Sequence, residues 1–265
     1  MQIGGWKCAL CAAILLLPCS AGAAPWPQPE GHGFAITTVN VTEAKINAGT
    51  PNPAFGKGDY RQYIVSSYIE YGLTSRITLG AIPEFEFVRF KTGSAALTTS
   101  GFGDVELFAR TVVWQQAEWW GAAQANLKLP TGYDPHANPA LGNGQIDFEP
   151  RLSIGRGFMI GDWSSFGYLD LGYRVRFAGP NDQLRVNIGL GMRPAVRWTV
   201  FIQSFNIINT VQPPHGINFS IGNLAGTAVY DLSSRWSVQL GIFSQIATAN
   251  FNPGSGVSTG VWWRF

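Results

Sequence analysis

The residues best placed to do chemistry in this chain are acids and bases recurring at every second position. Glu84 and Glu86, Asp104 and Glu106, Asp147 and Glu149, and Arg174 and Arg176 form such pairs. Glu70, Arg110, Lys128, Arg151, Asp170, Arg185 and Arg193 join them within alternating segments. On an extended chain, two-residue spacing puts both members on one face. Charges on a face withdrawn from bulk water must pair, shift their proton affinity or take in water. Acids and bases occur in comparable numbers on neighbouring segments, so the chemistry implied is a ladder of ion pairs. Such a ladder either fills an interior and holds its shape or borders a polar conduit.

Catalysis would need a base beside a nucleophile, typically histidine with serine. The three histidines are scattered. His32 precedes the first alternating segment, while His136 (in DPHANP) and His215 (in QPPHGI) fall in loops. None sits beside a serine on a strand, and no pair has metal-ligand spacing. There is no phosphate-cradling glycine loop and no basic aromatic patch for nucleic acid. The expectation is a protein that is not an enzyme and has no cofactor, metal or nucleic-acid partner.

The elements that must position these charges are strands. In ITLGAIPEFEF (77–87), Ile77, Leu79, Ala81, Pro83, Phe85 and Phe87 alternate with Thr78, Gly80, Ile82, Glu84 and Glu86. DVELFAR (104–110) and LRVNIGLGMR (184–193) alternate in the same way. One apolar and one polar face at period two is the signal of a half-buried strand. Turn residues divide the chain into segments near 34–43, 60–71, 76–90, 102–114, 119–130, 145–156, 166–178, 183–193, 197–206, 217–230, 235–248 and 257–265. Short connections (GLTSR, QQAE, RPAVR, DLSSR and the longer GFMIGDW) alternate with longer ones such as NAGTPNPAFGKGD, TGYDPHANPALGNG and NIINTVQPPHGI. This is the outer-membrane barrel pattern, with the short turns periplasmic. LTSRITLG, AVRWTVFI and LSSRWSVQLG form a weak repeat, each opening an outgoing strand. The fold expected is all-β: a transmembrane antiparallel up-and-down β-barrel of about 12 strands.

Composition agrees. Charged residues make up 13% of the chain, about half the usual content of a soluble protein. The 32 glycines and 16 prolines, without a collagen period, imply many turns. MQIGGWK, an apolar run too short to span a bilayer, and SAGAA read as a secretory signal over residues 1–24, leaving 25–265 as the barrel. All three cysteines fall in that signal, which excludes a disulfide framework and a thiolate metal site in the barrel. Losing Lys7 lowers the formal charge from +2 to +1, so no polybasic or polyacidic partner is implied.

Tryptophans are sorted to one end. Trp114, Trp119, Trp120, Trp163, Trp198, Trp236, Trp262 and Trp263 stand beside short turns or at the C-terminus. Indole favours the membrane interface, so Trp114, Trp119, Trp163, Trp198, Trp236 and Trp263 are expected to form a periplasmic aromatic girdle. In GVWWRF (260–265), Val261, Trp263 and Phe265 face lipid, and Gly260, Trp262 and Arg264 face inward. Such an end resembles the C-terminal signal that outer-membrane barrels present to the barrel assembly machinery, with Phe265 as its terminal aromatic.

With the apolar faces on lipid, the expected lumen lining includes Glu70, Glu84, Glu86, Asp104, Glu106, Arg110, Lys128, Asp147, Glu149, Arg151, Asp170, Arg174, Arg176, Arg185 and Arg193. From Pro194 onward the only charged residues are Arg197, Asp231, Arg235 and Arg264. Inward positions expected there are Thr199, Phe201, Gln203, Phe205, Ser220, Leu224, Gln239, Phe243 and Gln245. One wall would be ionic and the other aromatic and amide-bearing, which suits a small, partly hydrophobic solute.

GFGDVELFAR (101–110), LKLPTG (127–132) and LGNGQIDFEPRLSIGRGF (141–158) resemble the outer-membrane family labelled as the MetA-pathway of phenol degradation. Gly103, Asp104, Leu129, Pro130, Thr131, Gly132, Asp147 and Glu149 carry the resemblance, and Pro150 with Arg151 departs from it. The resemblance implies a barrel transporter associated with aromatic compounds. The functional expectation is passive transport of a small solute of aromatic or hydrophobic character, with outer-membrane lipid around the barrel. The alternatives are a non-transporting structural or adhesive barrel and a lipid-modifying outer-membrane enzyme.

Overall fold

A computed structural model describes residues 25–46, 57–137, 139–177, 181–210, 220–249 and 252–265. The segment read as a signal, residues 1–24, lies outside the described residues, as does His215. Twelve strands follow one another: β1 (Gly33–Ile46), β2 (Gly58–Gly72), β3 (Ile77–Thr92), β4 (Ala95–Gln116), β5 (Trp119–Pro130), β6 (Asp147–Ile160), β7 (Trp163–Arg176), β8 (Gln183–Ala195), β9 (Trp198–Asn209), β10 (Ser220–Asp231), β11 (Trp236–Ala249) and β12 (Gly254–Arg264). Each pairs antiparallel with its sequence neighbours, and β1 pairs with β12 from Phe34↔Arg264 to Ala44↔Gly254, closing the barrel. Closure leaves no sheet edge, which lipid requires because it offers backbone groups no hydrogen-bond partner. The described residues contain no helix.

Alternation decides what faces where. In β4, Phe108, Arg110 and Val112 are buried, whereas Leu107, Ala109 and Val113 are exposed. The outer surface is apolar, with Leu79, Phe85, Phe87, Leu107, Leu152, Leu171, Ile188, Ile202, Leu240 and Ile242 exposed. A closed antiparallel barrel with this outer face is of the outer-membrane type.

The turns at one end are tight. GLTSRI and DLSSRW share a geometry: the amides of Leu73 and Thr74 donate to the carbonyl of Ile77, and those of Leu232 and Ser233 to that of Trp236. The Thr74 and Ser233 hydroxyls accept the amides of Ile77 and Trp236. For these two of its three copies the sequence repeat is thus a repeated turn. At the β4–β5 turn Ala117 adopts φ +50°, a left-handed conformation that costs a non-glycine residue energy.

Two strand boundaries differ from expectation. β4 begins at Ala95, and Gly93–Ser94 form a tight hairpin with β3. The stretch 91–101, with its glycines and serines, resembles a loop, but Leu97, Thr98 and Thr99 pair with Phe90, Arg89 and Val88, and cross-strand pairing overrides turn composition. β6 and β7 likewise run on to a two-residue turn at Gly161–Asp162, replacing the seven-residue connection expected there. Within β4, Gly103 and Asp104 both oppose Glu84, a bulge that turns two consecutive residues inward. Pro150 interrupts the β6–β7 ladder without shifting its register.

Candidate functional site

The interior of the barrel is the candidate site, and its two sides are built differently. On β4 to β8, joined by Glu70 of β2, the charges interlock. Arg110 Nη2 lies 2.6 Å from Glu70 Oε1, and both are almost fully buried. Lys128 Nζ is 2.9 Å from Asp104 and 3.1 Å from Asp147. Arg151 bridges Glu149 and Asp170, and Arg174 bridges Glu149 and Glu106. Arg185 approaches Glu149 at 3.5 Å and Arg176 approaches Asp147 at 3.8 Å. Glu149, 1% exposed, therefore faces three guanidinium groups. Asp170 also accepts from Asn187 Nδ2 at 3.0 Å and from the Ser153 hydroxyl at 3.2 Å. Buried ions persist when their lone pairs and protons are matched in this way.

Glu84 and Glu86 differ from the rest. Glu86 accepts a 2.7 Å bond from Gln62 Nε2. Glu84 is half-buried and forms no ion pair within 4.0 Å among the described residues. Arg193 belongs elsewhere: with Arg264 it flanks Asp231 at the short-turn end, at 2.8 and 3.4 Å.

The other side, β9 to β12 with β1, carries Thr199, Phe201 and Gln203 buried, and Phe205, Gln239, Phe243 and Gln245 half-buried. Gly256, Ser258 and Gly260 of β12 also face inward and add little bulk. Ser220 and Leu224 point the other way, contrary to the inward positions expected. Ser220 pairs with exposed Ile208, and Leu224 is 41% exposed. The surrounding Gly222, Ala225, Gly226 and Ala228 give β10 no facial preference, so buried Val229 and the Asn223↔Phe205 pairing fix its parity.

Near the short turns the lumen is crossed by an aromatic layer. Phe34 meets Trp262 edge-on at 5.3 Å, Tyr68 stacks on Phe108 at 5.5 Å, and Phe201 lies 6.4 Å from Trp262. Trp262 is fully buried, and its indole N–H donates to Gln239 Oε1 at 2.5 Å. The segment before β1 enters this layer. Trp26 meets Phe166 edge-on at 5.9 Å. The Gln28 amide donates to Thr78 Oγ1 at 3.0 Å and its side chain to Glu70 Oε2 at 2.7 Å. Gly72 permits this entry, because a Cβ there would lie 2.2 Å from the Pro29 carbonyl oxygen. None of these N-terminal residues stood out as a site in the sequence. Pro25, Pro27 and Pro29 are the available signal, marking an extended segment that cannot join a central strand.

At the other end the β5–β6 connection folds over the mouth. The Tyr133 hydroxyl donates to Asp104 at 2.5 Å and accepts the Gly144 amide at 2.9 Å, while Lys128 donates to Asn143 at 2.7 Å. Burial, reinforced by the bond to Asp104, holds the Tyr133 phenol above its ordinary proton affinity. His136 is exposed in this connection, and its amide is capped by Asp134.

Of the aromatic residues assigned to the rim, Trp114, Trp119, Trp163, Trp198, Trp236 and Trp263 are 39–45% exposed and stand beside the short turns or at the C-terminus. Trp236 and Trp263 stack at 5.8 Å, and Phe265 lies 4.5 Å from Trp263. The Phe265 and Gly33 backbones exchange hydrogen bonds of 2.7 and 2.9 Å.

No family model and no curated protein matches the chain. Among solved structures it is similar to an outer membrane channel from Pseudomonas putida F1, with 15% identity and a TM-score of 0.70 over 93% of this chain and 100% of that one. The β domain of the Bordetella autotransporter Brka gives 12% identity and a TM-score of 0.53 over 88% and 99%. The translocator domain of autotransporter NalP from Neisseria meningitidis gives 13% identity and 0.50 over 97% and 93%. These likenesses establish the fold: a twelve-stranded barrel of the outer-membrane class.

Proposed function

We propose that this barrel is a passive conduit for a small solute of aromatic or hydrophobic character, with its path along the uncharged wall. One observation carries the reading. Lys128, Asp147, Glu149, Arg151, Asp170 and Arg174 on β5 to β7 are packed until almost no accessible surface remains, whereas Asn40, Thr42, Gln62, Gln239, Phe243, Gln245 and Ser258 stay half-buried around the lumen. An apolar strip with a few amides and hydroxyls suits a compact organic solute better than an ion. The similarity to an outer membrane channel and the resemblance to the phenol-degradation family support the same direction.

In this reading Glu84, Glu86, Asp104, Glu106, Arg110, Lys128, Asp147, Glu149, Arg151, Asp170, Arg174, Arg176 and Arg185 line the lumen with Phe201 and Phe243. The six rim tryptophans hold the periplasmic interface, Phe265 addresses the assembly machinery, and lipid surrounds the outer face. The reading is of a transporter and not an enzyme, and alanine at both His136 and His215 should leave its function intact. Lipid hydrolysis by the purified wild type that disappears in that double variant would reverse this assignment.

A second reading rests on the aromatic layer. With Trp26, Phe34, Tyr68, Phe108, Phe166, Phe201 and Trp262 across the short-turn half, the interior is a sealed core and the barrel is structural. Liposome swelling with phenols and sugars, together with planar-bilayer conductance, separates the two. Phenol entry exceeding that of sugars of similar size supports the conduit. Passage of neither solutes nor ions supports the sealed core.

A further inference from the structure

The outer surface of β1 to β3 changes character at one height. Along β3 the outward residues run Ile77, Leu79, Ala81, Pro83, Phe85 and Phe87, then Arg89 and Lys91. Along β2, starting from the short-turn end, they run Tyr71, Ile69, Ser67, Val65 and Tyr63, then Arg61 and Asp59. Along β1 they run Ala35, Thr37, Val39 and Val41, then Glu43 and Lys45. From Ile77 to Phe87 the strand advances roughly 33 Å. At the usual tilt this is a rise of about 25 Å, the height of the apolar band of such barrels. The charges therefore begin where hydrocarbon ends, on the side away from the short turns.

Register places them in two rows across the strands. Lys45 pairs with Asp59 and Asp59 with Lys91; Glu43 pairs with Arg61 and Arg61 with Arg89. Lys57 adds a fifth cation against the two carboxylates. Arg61 engages Glu43 at 2.5 Å. Among the described residues, Lys45, Lys57, Arg89 and Lys91 form no ion pair within 4.0 Å. Lys45, Lys57 and Lys91 line one shallow cavity of about 380 Å³ with Ile46, Gly58, Asp59 and Gly93. On the next strand, Ala96 and Thr98 stand opposite Lys91 and Arg89, too short to cover them. Just below, Tyr63 meets Phe87 edge-on at 5.9 Å, and Phe85 meets Phe102 at 5.4 Å, giving an exposed aromatic surface. On and after β7 the outward face at the same end carries no cation: Leu171, Tyr173 and Phe177 are exposed there, with the Asp182 carboxylate accepting the Tyr173 hydroxyl at 3.0 Å.

We propose that this face binds a phosphorylated glycolipid of the outer leaflet, with the lipid's phosphates among Lys45, Lys57, Arg89 and Lys91 and its acyl chains on Tyr63, Phe85, Phe87 and Phe102. A free phosphate would need only the cations. Their position at the head of an aromatic ramp, on one sector of the barrel, fits a lipid whose anionic head and apolar tail are covalently joined. The attraction is of charge at the interface, so it weakens with salt.

The test uses the full-length barrel in detergent. Binding of bisphosphorylated lipid A, dephosphorylated lipid A and inorganic phosphate is measured by the shift in the temperature at which the folded gel band is lost. The proposal expects the bisphosphorylated lipid to stabilise the wild type, the dephosphorylated lipid to bind far more weakly, and inorganic phosphate at equal concentration to give no shift. The K45Q/R89Q/K91Q variant should bind the bisphosphorylated lipid about a hundredfold more weakly, by loss of three interfacial charges. Equal binding of the two lipids by the wild type would overturn the proposal, and this comparison needs no variant to fold. Unchanged binding by the folded triple variant, or an equal shift with inorganic phosphate, would also overturn it.

Discussion

The interior wall formed by β4 to β8 and the wall formed by β9 to β12 with β1 share one backbone scheme, period-two alternation within a closed sheet. They solve the problem of filling it in opposite ways. On the first, Glu149 and Asp170 are at most 1% exposed and held by arginine, as is Glu70 of β2, which Arg110 draws to the same wall. On the second, Gln239, Phe243, Gln245 and Ser258 are half-buried beside glycines, and few bonds join them. Packed ion pairs give shape at a large desolvation cost and tolerate no missing partner. Uncharged side chains tolerate change and leave room. The contrast teaches that the residues most visible as chemistry need not be those that meet a solute.

The most severe way to break the second wall is to remove its closure. Deleting Val261 to Phe265 strips β12 of its pairing with Thr37–Phe34 and with Trp236–Val238. Backbone groups left unpaired in lipid cost several kcal/mol each, so the truncated chain should give no heat-modifiable folded band. A truncated protein that inserts and resists unfolding as well as the full chain would show that the β1–β12 seam does not hold the barrel.

The next test weighs wall against wall. Glu149→Ala leaves Arg151, Arg174 and Arg185 facing one another and should destabilise the barrel by about 3–5 kcal/mol. Gln239→Ala removes the acceptor of the Trp262 indole and a long bond to the Ser258 hydroxyl, both uncharged, and should cost about 1–2 kcal/mol. Urea unfolding in one detergent compares them directly. Equal losses would erase the distinction between a structural and a permissive wall.

A third experiment reads permeation. Phe243→Ala and Trp26→Ala should each raise phenol entry into liposomes severalfold while leaving potassium chloride conductance nearly unchanged. Phe243 narrows the uncharged side, and Trp26 reaches into the lumen against Phe166. Equal increases for phenols and sugars would indicate a plain loss of filling.

Much of this was legible in the chain. Twelve alternating segments give the strands, and the two-residue spacing of Asp147 with Glu149 and of Arg174 with Arg176 places each pair on one face, because a lipid-facing sheet has a strict inside and outside. Illegible were features in which the pattern is weak or the contact is distant. Ser220 and Leu224 sit among glycines and alanines, which prefer neither face. Pro25 to Pro29 carry no periodicity, so nothing local says that Gln28 will meet Thr78 and Glu70. Residues 91–101 read as a loop until β3 is available to pair with them.

The finest distinction lies within the acids of β3 and β4. Asp104 is tied to Lys128 at 2.9 Å and receives the Tyr133 hydroxyl, whereas Glu84, opposite the same bulge, has no ion-pair partner among the described residues. If accessible charge sets ion preference, Glu84→Gln should reduce cation selectivity in planar bilayers, as removal of a pore-lining carboxylate does, with little change in unfolding. Asp104→Asn should do the reverse: a small shift in selectivity, together with loss of stability as Lys128 keeps only Asp147 for an ion pair and the 131–146 connection loosens. Reversal potentials under a salt gradient and urea midpoints of the two variants give four numbers. Equal selectivity shifts would mean that the paired acid meets the permeating ion as fully as the unpaired one, and the boundary between packed wall and conduit would then have to move past Asp104.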